Sequence, residues 1–337
     1  MQLPDEVRKL VCFVHASGGG KEWLGTGFFV FEPLSVPNER GEEQSAIYIV
    51  TAKHCVKQYA KDKNGAPEPP IEKIEIRLNT VAGGSEKIDT TLSDWKHHPT
   101  ADVSVYAFAP DRSIYDYLYY PARSWAGPIY GGDAGSRPHV PDVGPGTEIF
   151  LTGLLVYHPG KTRMMPIIRV GNIAAFPEEP IKLVTGTDHV VLIESRSLGG
   201  LSGSPVFVHF PPWRYDEATW TPVKLMPPAV PGNAGPNYLL GVVHGIWPTS
   251  GQDPDGIASA EPGLNAGITI VTPIHRALDL IDGPDLKPQR EALKKHLEEA
   301  VMPTMTSEAA ATTSTVSEFD RFEDLTGKLV QVSKPEK

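Results

Sequence analysis

The chain has only two cysteines, Cys12 and Cys55, in 337 residues. Two thiols cannot build the disulfide framework of a small secreted domain, so stability must come from an apolar core. Long hydrophobic runs are also missing. The stretch from Ile149 to Tyr157 falls well short of the roughly 20 apolar residues that span a bilayer. The opening residues, MQLPDEVRKLVCFV, carry acids early and lack an apolar segment followed by a small-residue cleavage site, which argues against a signal peptide. No asparagine begins an Asn-x-Ser/Thr acceptor. Positive charge is scarce: 31 Lys and Arg stand against 41 Asp and Glu, for a formal net charge of −10, with no local basic cluster. Counterion release at a polyanion needs a basic surface, so neither nucleic acid nor an anionic membrane is expected as a partner. Metal-ligand spacings and internal repeats do not stand out, and no metal or other cofactor is expected. Together these absences imply a cytoplasmic protein of bacterial type.

What is present is β structure. Short β-branched and aromatic runs recur up to about residue 283, among them Leu10 to Val14, Gly27 to Phe31, Ile47 to Thr51, Ile74 to Leu78, Val103 to Phe108, Glu148 to Leu154, Val190 to Ile193, Pro205 to Val208 and Leu239 to Val243. Gly- and Pro-rich turns separate them and sustained helical periodicity is scarce, the pattern of an all-β sandwich or barrel. Two clusters of strands flank a loop-rich stretch from about Pro110 to Gly146, and the length suffices for two full cores.

Three short stretches carry chemistry. Thr51-Ala52-Lys53-His54-Cys55 offers a histidine and Ala101-Asp102-Val103-Ser104-Val105 an aspartate. Gly199-Gly200-Leu201-Ser202-Gly203-Ser204-Pro205 offers a serine in a glycine-rich turn. A serine hydroxyl is a poor nucleophile until a base lies within hydrogen-bond reach, and a histidine needs a carboxylate to fix its tautomer. Asp94 and Asp89 are alternatives for the carboxylate. Neither is followed by an apolar alternation like that of Val103, Val105 and Phe108.

In this chain order of His, Asp and Ser, the sequence resembles the trypsin-like serine proteases over roughly residues 8 to 283. The resemblance implies an all-β fold of two six-stranded antiparallel barrels of the chymotrypsin type, followed by a C-terminal helix and a flexible tail. The implied layout is an N-terminal barrel in 1–110 with His54 and Asp102, an interbarrel loop segment in 111–145 and a C-terminal barrel in 146–283 with Ser202. A helical and Ser/Thr-rich tail fills 284–337. The resemblance further implies a serine endopeptidase with protein or peptide substrates, with His54, Asp102 and Ser202 catalytic and the backbone N–H groups of Gly200 and Ser202 as the oxyanion hole. Catalytic silence, with the fold used as a binding or partner-activated signalling module, is the competing reading.

Departures from the secreted animal enzymes also bear on function. Those enzymes pair the cysteine after the catalytic histidine with one on the neighbouring strand, which here reads Gly25-Thr26-Gly27-Phe28-Phe29-Val30 and has none. Two reduced, buried thiols are therefore expected, with a Cys12–Cys55 pair as the alternative. Leu201 stands where those enzymes place the aspartate that binds a freshly cut N-terminus, so zymogen cleavage of that kind is not expected. By the resemblance, Arg196 to Leu198 and His244-Gly245-Ile246 wall the primary specificity pocket. Arg196 and His244 would suit an acidic side chain, unless Arg196 points to solvent and His244 merely lines the cleft.

Three segments read as insertions: Glu32 to Ser45, the interbarrel stretch with Tyr115, Tyr117, Tyr119 and Tyr120, and Phe210 to Asn237. Each is a lid or a surface flap. Helices are expected from Pro273 to Asp282, with Ile274, Leu278 and Ile281 on one face, and from Gln289 to Val301. Beyond the linker 304–317, Phe319, Phe322, Leu325 and Leu329 form a motif that reads either as a docking site for an activating partner or as a passive tail.

Overall fold

The computed structural model describes residues 3–38, 40–57, 69–123, 143–183, 186–195, 199–209, 213–215, 222–224, 237–248 and 265–301. The first half is built on β1 (Val11–Gly18), β2 (Lys21–Pro37), β3 (Glu43–Thr51), β4 (Lys73–Asn79), β5 (Ser85–Thr90), β6 (Trp95–His97), β7 (Ser104–Ala107) and β8 (Tyr120–Pro121). These form one eight-stranded sheet in the order β5-β4-β1-β2-β3-β7-β6, with β8 added in parallel to β2.

The second half contains β9 (Glu148–Gly153), β10 (Ile167–Ala175), a hairpin of β11 (Ile181–Leu183) and β12 (Gly186–Asp188), then β13 (Val191–Glu194) and β14 (Pro205–His209). A second hairpin, β15 (Trp213–Tyr215) with β16 (Pro222–Lys224), precedes β17 (Asn237–Pro248) and β18 (Asn265–Pro273). Six of these strands close into a barrel, β10-β13-β18-β17-β14-β9. Two helices, α1 (His275–Ile281) and α2 (Lys287–Val301), follow. The result is an all-β fold of the chymotrypsin type with helices at the C-terminal end.

Strand β2 shows why the apolar runs are continuous. Thr26 through Phe31 are all buried, and side chains on a strand alternate between faces. Phe29 packs in a core with Cys12, Val14 and Ile49, whereas Phe28 and Val30 join a second core that includes Val206, Leu239 and Val243 of the barrel. A strand covered on both sides loses the alternation of a half-exposed one. The two halves thus share one apolar seam, and the candidate site lies along it.

Residues 32–45 do not form an inserted loop. Strand β2 continues to Pro37 and pairs with β3 from Gly27↔Thr51 out to Pro37↔Glu43, across one register shift. Leu34 and Val36, each 3 % exposed, supply the period-2 burial that outweighs the Pro and Gly punctuation. The tyrosine cluster is also packed. Tyr117 lies against Phe29 with ring centroids 4.5 Å apart, and the Tyr120 hydroxyl donates to the Asn237 carbonyl at 2.6 Å. Of the expected face, Ile274 and Ile281 are buried and Leu278 is half-buried, while Ala277 is buried in addition. The linker 304–317 and the motif from Phe319 to Leu329 lie outside the described residues.

Candidate active site

His54 sits in a tight helical turn, Lys53–Cys55, directly after β3. The turn closes through Cys55 N–H to Ala52 O at 3.0 Å and Val56 N–H to Lys53 O at 3.1 Å. Asp102 precedes β7, the neighbour of β3, so the pairing of Thr51 with Ser104 brings the two loops together. The His98 ring shapes the aspartate's loop by accepting the Ala101 N–H at Nδ1, 2.8 Å away. The two loops are tied again where Lys53 Nζ donates to the His98 carbonyl at 2.8 Å.

Asp102 holds His54 twice. Its Oδ1 accepts the His54 backbone N–H at 3.0 Å, and its Oδ2 lies 2.7 Å from His54 Nδ1. The carboxylate side chain is fully buried, while the His54 ring is 29 % exposed. This leaves Nε2 as the working nitrogen of the ring. Burial pulls the His54 imidazole down, but the charge and hydrogen bond of Asp102, with the adjacent Cys55 side chain, more than offset it. The ring stands well above its ordinary value. Lys53 is lowered by its own burial against the opposing pull of Asp102. The alternatives are engaged elsewhere: Asp94 closes a capping box with Thr91, and Asp89 meets Lys73 on the exposed side of β5.

Ser202 lies on the turn before β14. Gly200 and Gly203 adopt φ of +93° and +84°, which only glycine takes without strain. A Cβ on Gly203 would also collide with the Thr26 carbonyl. Thr26 fastens the turn to the first sheet. Its N–H donates to Ser202 O at 2.8 Å, and its hydroxyl donates to Gly200 O at 2.9 Å while accepting the Leu154 N–H at 2.8 Å. From the barrel side, Gly203 N–H donates to Val243 O at 2.7 Å and Val243 N–H to Ser204 O at 2.9 Å. Leu201 is fully buried in the core shared by the two halves, so apolar packing anchors the turn at the position expected to replace an ion pair.

The Ser202 hydroxyl donates to the backbone carbonyl of His244 at 3.2 Å. Among the described residues it makes no hydrogen bond to His54.

Of the expected pocket residues, Arg196 and Leu198 lie outside the described residues. His244, Gly245 and Ile246 lie on β17. The His244 ring is 12 % exposed, stands 5.8 Å from the His54 ring between centroids, and has Nδ1 3.3 Å from Asp102 Oδ2. Ile246 is exposed at 45 %. A recess of about 160 Å³ has an apolar side of Phe13, Val14, Leu24, Leu154 and Val156 and a charged side of Glu75, Arg77 and Lys87; none of His54, Asp102 and Ser202 lines it. Leu154 and Val156 also border Gly200.

Both cysteines are free and buried. Burial pushes the Cys12 thiol up to about 12, and Cys55 Sγ lies 3.7 Å from Ser202 O. Sequence reasoning missed Thr26, Lys53 and His98. The readable signal for Thr26 was a buried hydroxyl within a glycine pair, Gly25-Thr26-Gly27, where a strand otherwise runs apolar. Among the described residues there is no cluster of three or more His, Cys, Asp or Glu placed to hold a metal, and no helix long and apolar enough to cross a membrane.

No family model and no curated protein matches the sequence. Among solved structures, the chain is similar to the MamO protease domain of Magnetospirillum magneticum at 14 % identity and TM-score 0.41, covering 82 % of this chain and 97 % of that one. It is similar to the protease Anisep from Arthrobacter nicotinovorans at 11 % identity and TM-score 0.38, covering 79 % and 90 % respectively. The chemistry rests on this chain's own residues.

Proposed function

We propose that this protein is a serine endopeptidase that cleaves a protein substrate through an acyl-enzyme. The observation that carries the reading is the double attachment of His54 to a buried Asp102, with His54 on a loop that packs beside the glycine turn carrying Ser202. In the first step Ser202 Oγ swings to His54 Nε2, gives up its proton and bonds to the scissile carbonyl carbon. The carbonyl π pair moves onto oxygen, where the N–H groups of Gly200 and Ser202 receive it. Collapse expels the leaving amine, which takes the proton from the imidazolium. Water then repeats the sequence, releasing the acid and restoring the serine. Asp102 stabilises the imidazolium in both halves.

Arg196 and His244 frame an acidic-side-chain preference. A neutral His244 with its Nδ1 hydrogen toward Asp102 offers Nε2 only as an acceptor, so that preference requires either Arg196 or a protonated His244. A cytoplasmic protein target and an activating partner on the C-terminal tail belong to the same reading.

One observation favours the competing reading of a silent or partner-activated module: Ser202 is bonded to the His244 carbonyl rather than to His54. A peptide library varied on both sides of the cleavage position, incubated with wild type and Ser202→Ala, separates the two. Cleavage by wild type alone supports the peptidase. Absence of cleavage by folded wild type supports the module, and preference for an uncharged residue removes the acidic specificity.

A further inference from the structure

The His54–Asp102 pair has a neighbour that the acyl-enzyme steps do not use. Strand β17 pairs with β18 in register through Val243↔Val271, then resumes at Gly245↔Ile270, which leaves His244 as the extra residue of a β-bulge. Bulges re-aim a side chain that regular alternation would send elsewhere. Here the bulge turns the His244 ring onto the aspartate and its carbonyl onto the serine. Both imidazoles reach the same oxygen, Asp102 Oδ2: His54 Nδ1 at 2.7 Å and His244 Nδ1 at 3.3 Å. Oδ1 is already taken by the His54 backbone N–H. His244 Nδ1 is buried and off the line of a formed hydrogen bond, so Asp102 is its nearest charged partner.

We infer that His244 is a positioning residue: it steadies the same Asp102 oxygen that His54 Nδ1 binds, so that one aspartate serves two imidazoles. The inference rests on the peptidase reading for its meaning in catalysis, although the pairing itself does not. An N–H on Nδ1, 3.3 Å from Oδ2, draws on the same negative charge that stabilises the His54 imidazolium, through charge and dipole rather than a formed hydrogen bond. His54 is therefore less basic than it would be with Asp102 to itself. Two cations on one carboxylate repel, so at most one of the two rings is protonated to imidazolium near neutrality.

The charged and titratable groups facing His244 are Asp102 and His54 from the first half, Lys53 from the turn after β3, and Asp188 from β12. Burial is the main effect that lowers His244. Asp102 and Asp188 oppose it, and His54 and Lys53 reinforce it. His54 is displaced the opposite way. A pair pushed apart in this manner divides its roles, one ring holding the proton and the other staying neutral. The carbonyl of the same bulge residue holds the Ser202 hydroxyl, so the bulge links serine orientation to the aspartate.

The test uses the full chain and reads the rate of fluorophosphonate labelling against pH, for wild type, His244→Phe and His244→Asn. The phenyl ring keeps the shape and loses the N–H, whereas the asparagine amide places a donor near the Nδ1 position. Loss of the donor leaves His54 more basic, so the acid limb of H244F moves to higher pH and that of H244N stays with wild type. At the pH where wild type labels at half its plateau, H244F is expected at about a quarter of its own plateau or less. An unmoved limb in H244F, or an equal shift in H244N, overturns the inference.

Imidazole titration by NMR, comparing wild type with Asp102→Asn, requires neither turnover nor a substitution in the bulge. The His244 signal is expected to titrate at lower pH once the carboxylate charge is gone, and an unchanged His244 titration refutes the pairing. If wild type labels at no pH while His244 still responds to D102N, the peptidase reading has failed and the shared aspartate stands.

Discussion

Replacing Thr26 by valine tests whether the first sheet holds the serine turn in place. The side chain is fully buried and valine has nearly its shape, so no cavity opens. What disappears is the hydroxyl, with its 2.9 Å bond to Gly200 O and its 2.8 Å bond from Leu154 N–H. Both backbone groups are then left buried without that partner. An orphaned buried donor or acceptor costs about 1–3 kcal/mol, so the pair amounts to about 2–6 kcal/mol, measured by urea unfolding at unchanged m-value. The functional effect is separate. Gly200 supplies one of the two proposed oxyanion N–H groups, and losing alignment of such a donor slows reaction up to roughly a hundredfold. Thr26→Ser keeps the hydroxyl and should retain most of the rate, losing about 1 kcal/mol for the methyl group. Thr26→Val within about 0.5 kcal/mol of wild type, with unchanged labelling rate, would refute the claim that this hydroxyl clamps the turn.

Three further outcomes follow from the same geometry. Neutral His54 is the form that accepts a proton, and the ring is raised above 6.5 in the fold, so activity should fall away with decreasing pH at a value above 6.5. In Asp102→Asn that acid limb moves to lower pH and kcat drops about 10⁴-fold, read from pH–rate profiles. Glu75 accepts from Lys73, Lys87 and His15, and these bonds hold its carboxyl down at about 2 against an ordinary 4.5. Its contribution is complete above 4.5 and is lost as pH falls toward 2, so Glu75→Gln should cost stability at pH 7 and nothing near pH 2 in chemical unfolding. Native protein at pH 8 should give no rapid reaction with a thiol reagent, because Cys12 and Cys55 are buried and burial raises Cys12 to about 12. Unfolded protein should give two thiols, and a reading of none would mean that the two are paired.

The fold was largely legible in the sequence because burial on strands leaves a local mark. The apolar runs at Gly27–Phe31, Ile47–Thr51 and Leu239–Val243 fall within strands, and that at Glu148–Leu154 does so up to Gly153. So does the α1 face of Ile274 and Ile281 fall where its spacing places it. Residues 32–45 were misread because Pro33, Pro37 and Gly41 mark turns more loudly than Leu34 and Val36 mark a strand. The positions of His54, Asp102 and Ser202 could be singled out from their flanking residues, since a glycine turn and a strand-leading aspartate are local patterns. Their contacts were less readable. The side to which His244 turns depends on a one-residue bulge between Val243 and Gly245, and a register shift leaves no trace in side-chain chemistry. The Thr26 hydroxyl was hidden for a similar reason: both of its partners, Gly200 and Leu154, are more than a hundred residues away in the chain.

Intact-mass measurement after exposure to a fluorophosphonate, followed by peptide mapping, tests the central claim most directly. The account predicts one adduct per wild-type chain, on Ser202, and none on Ser202→Ala or His54→Ala. Folded wild-type protein that stays unlabelled across the pH range, or an adduct that persists in Ser202→Ala, would contradict it.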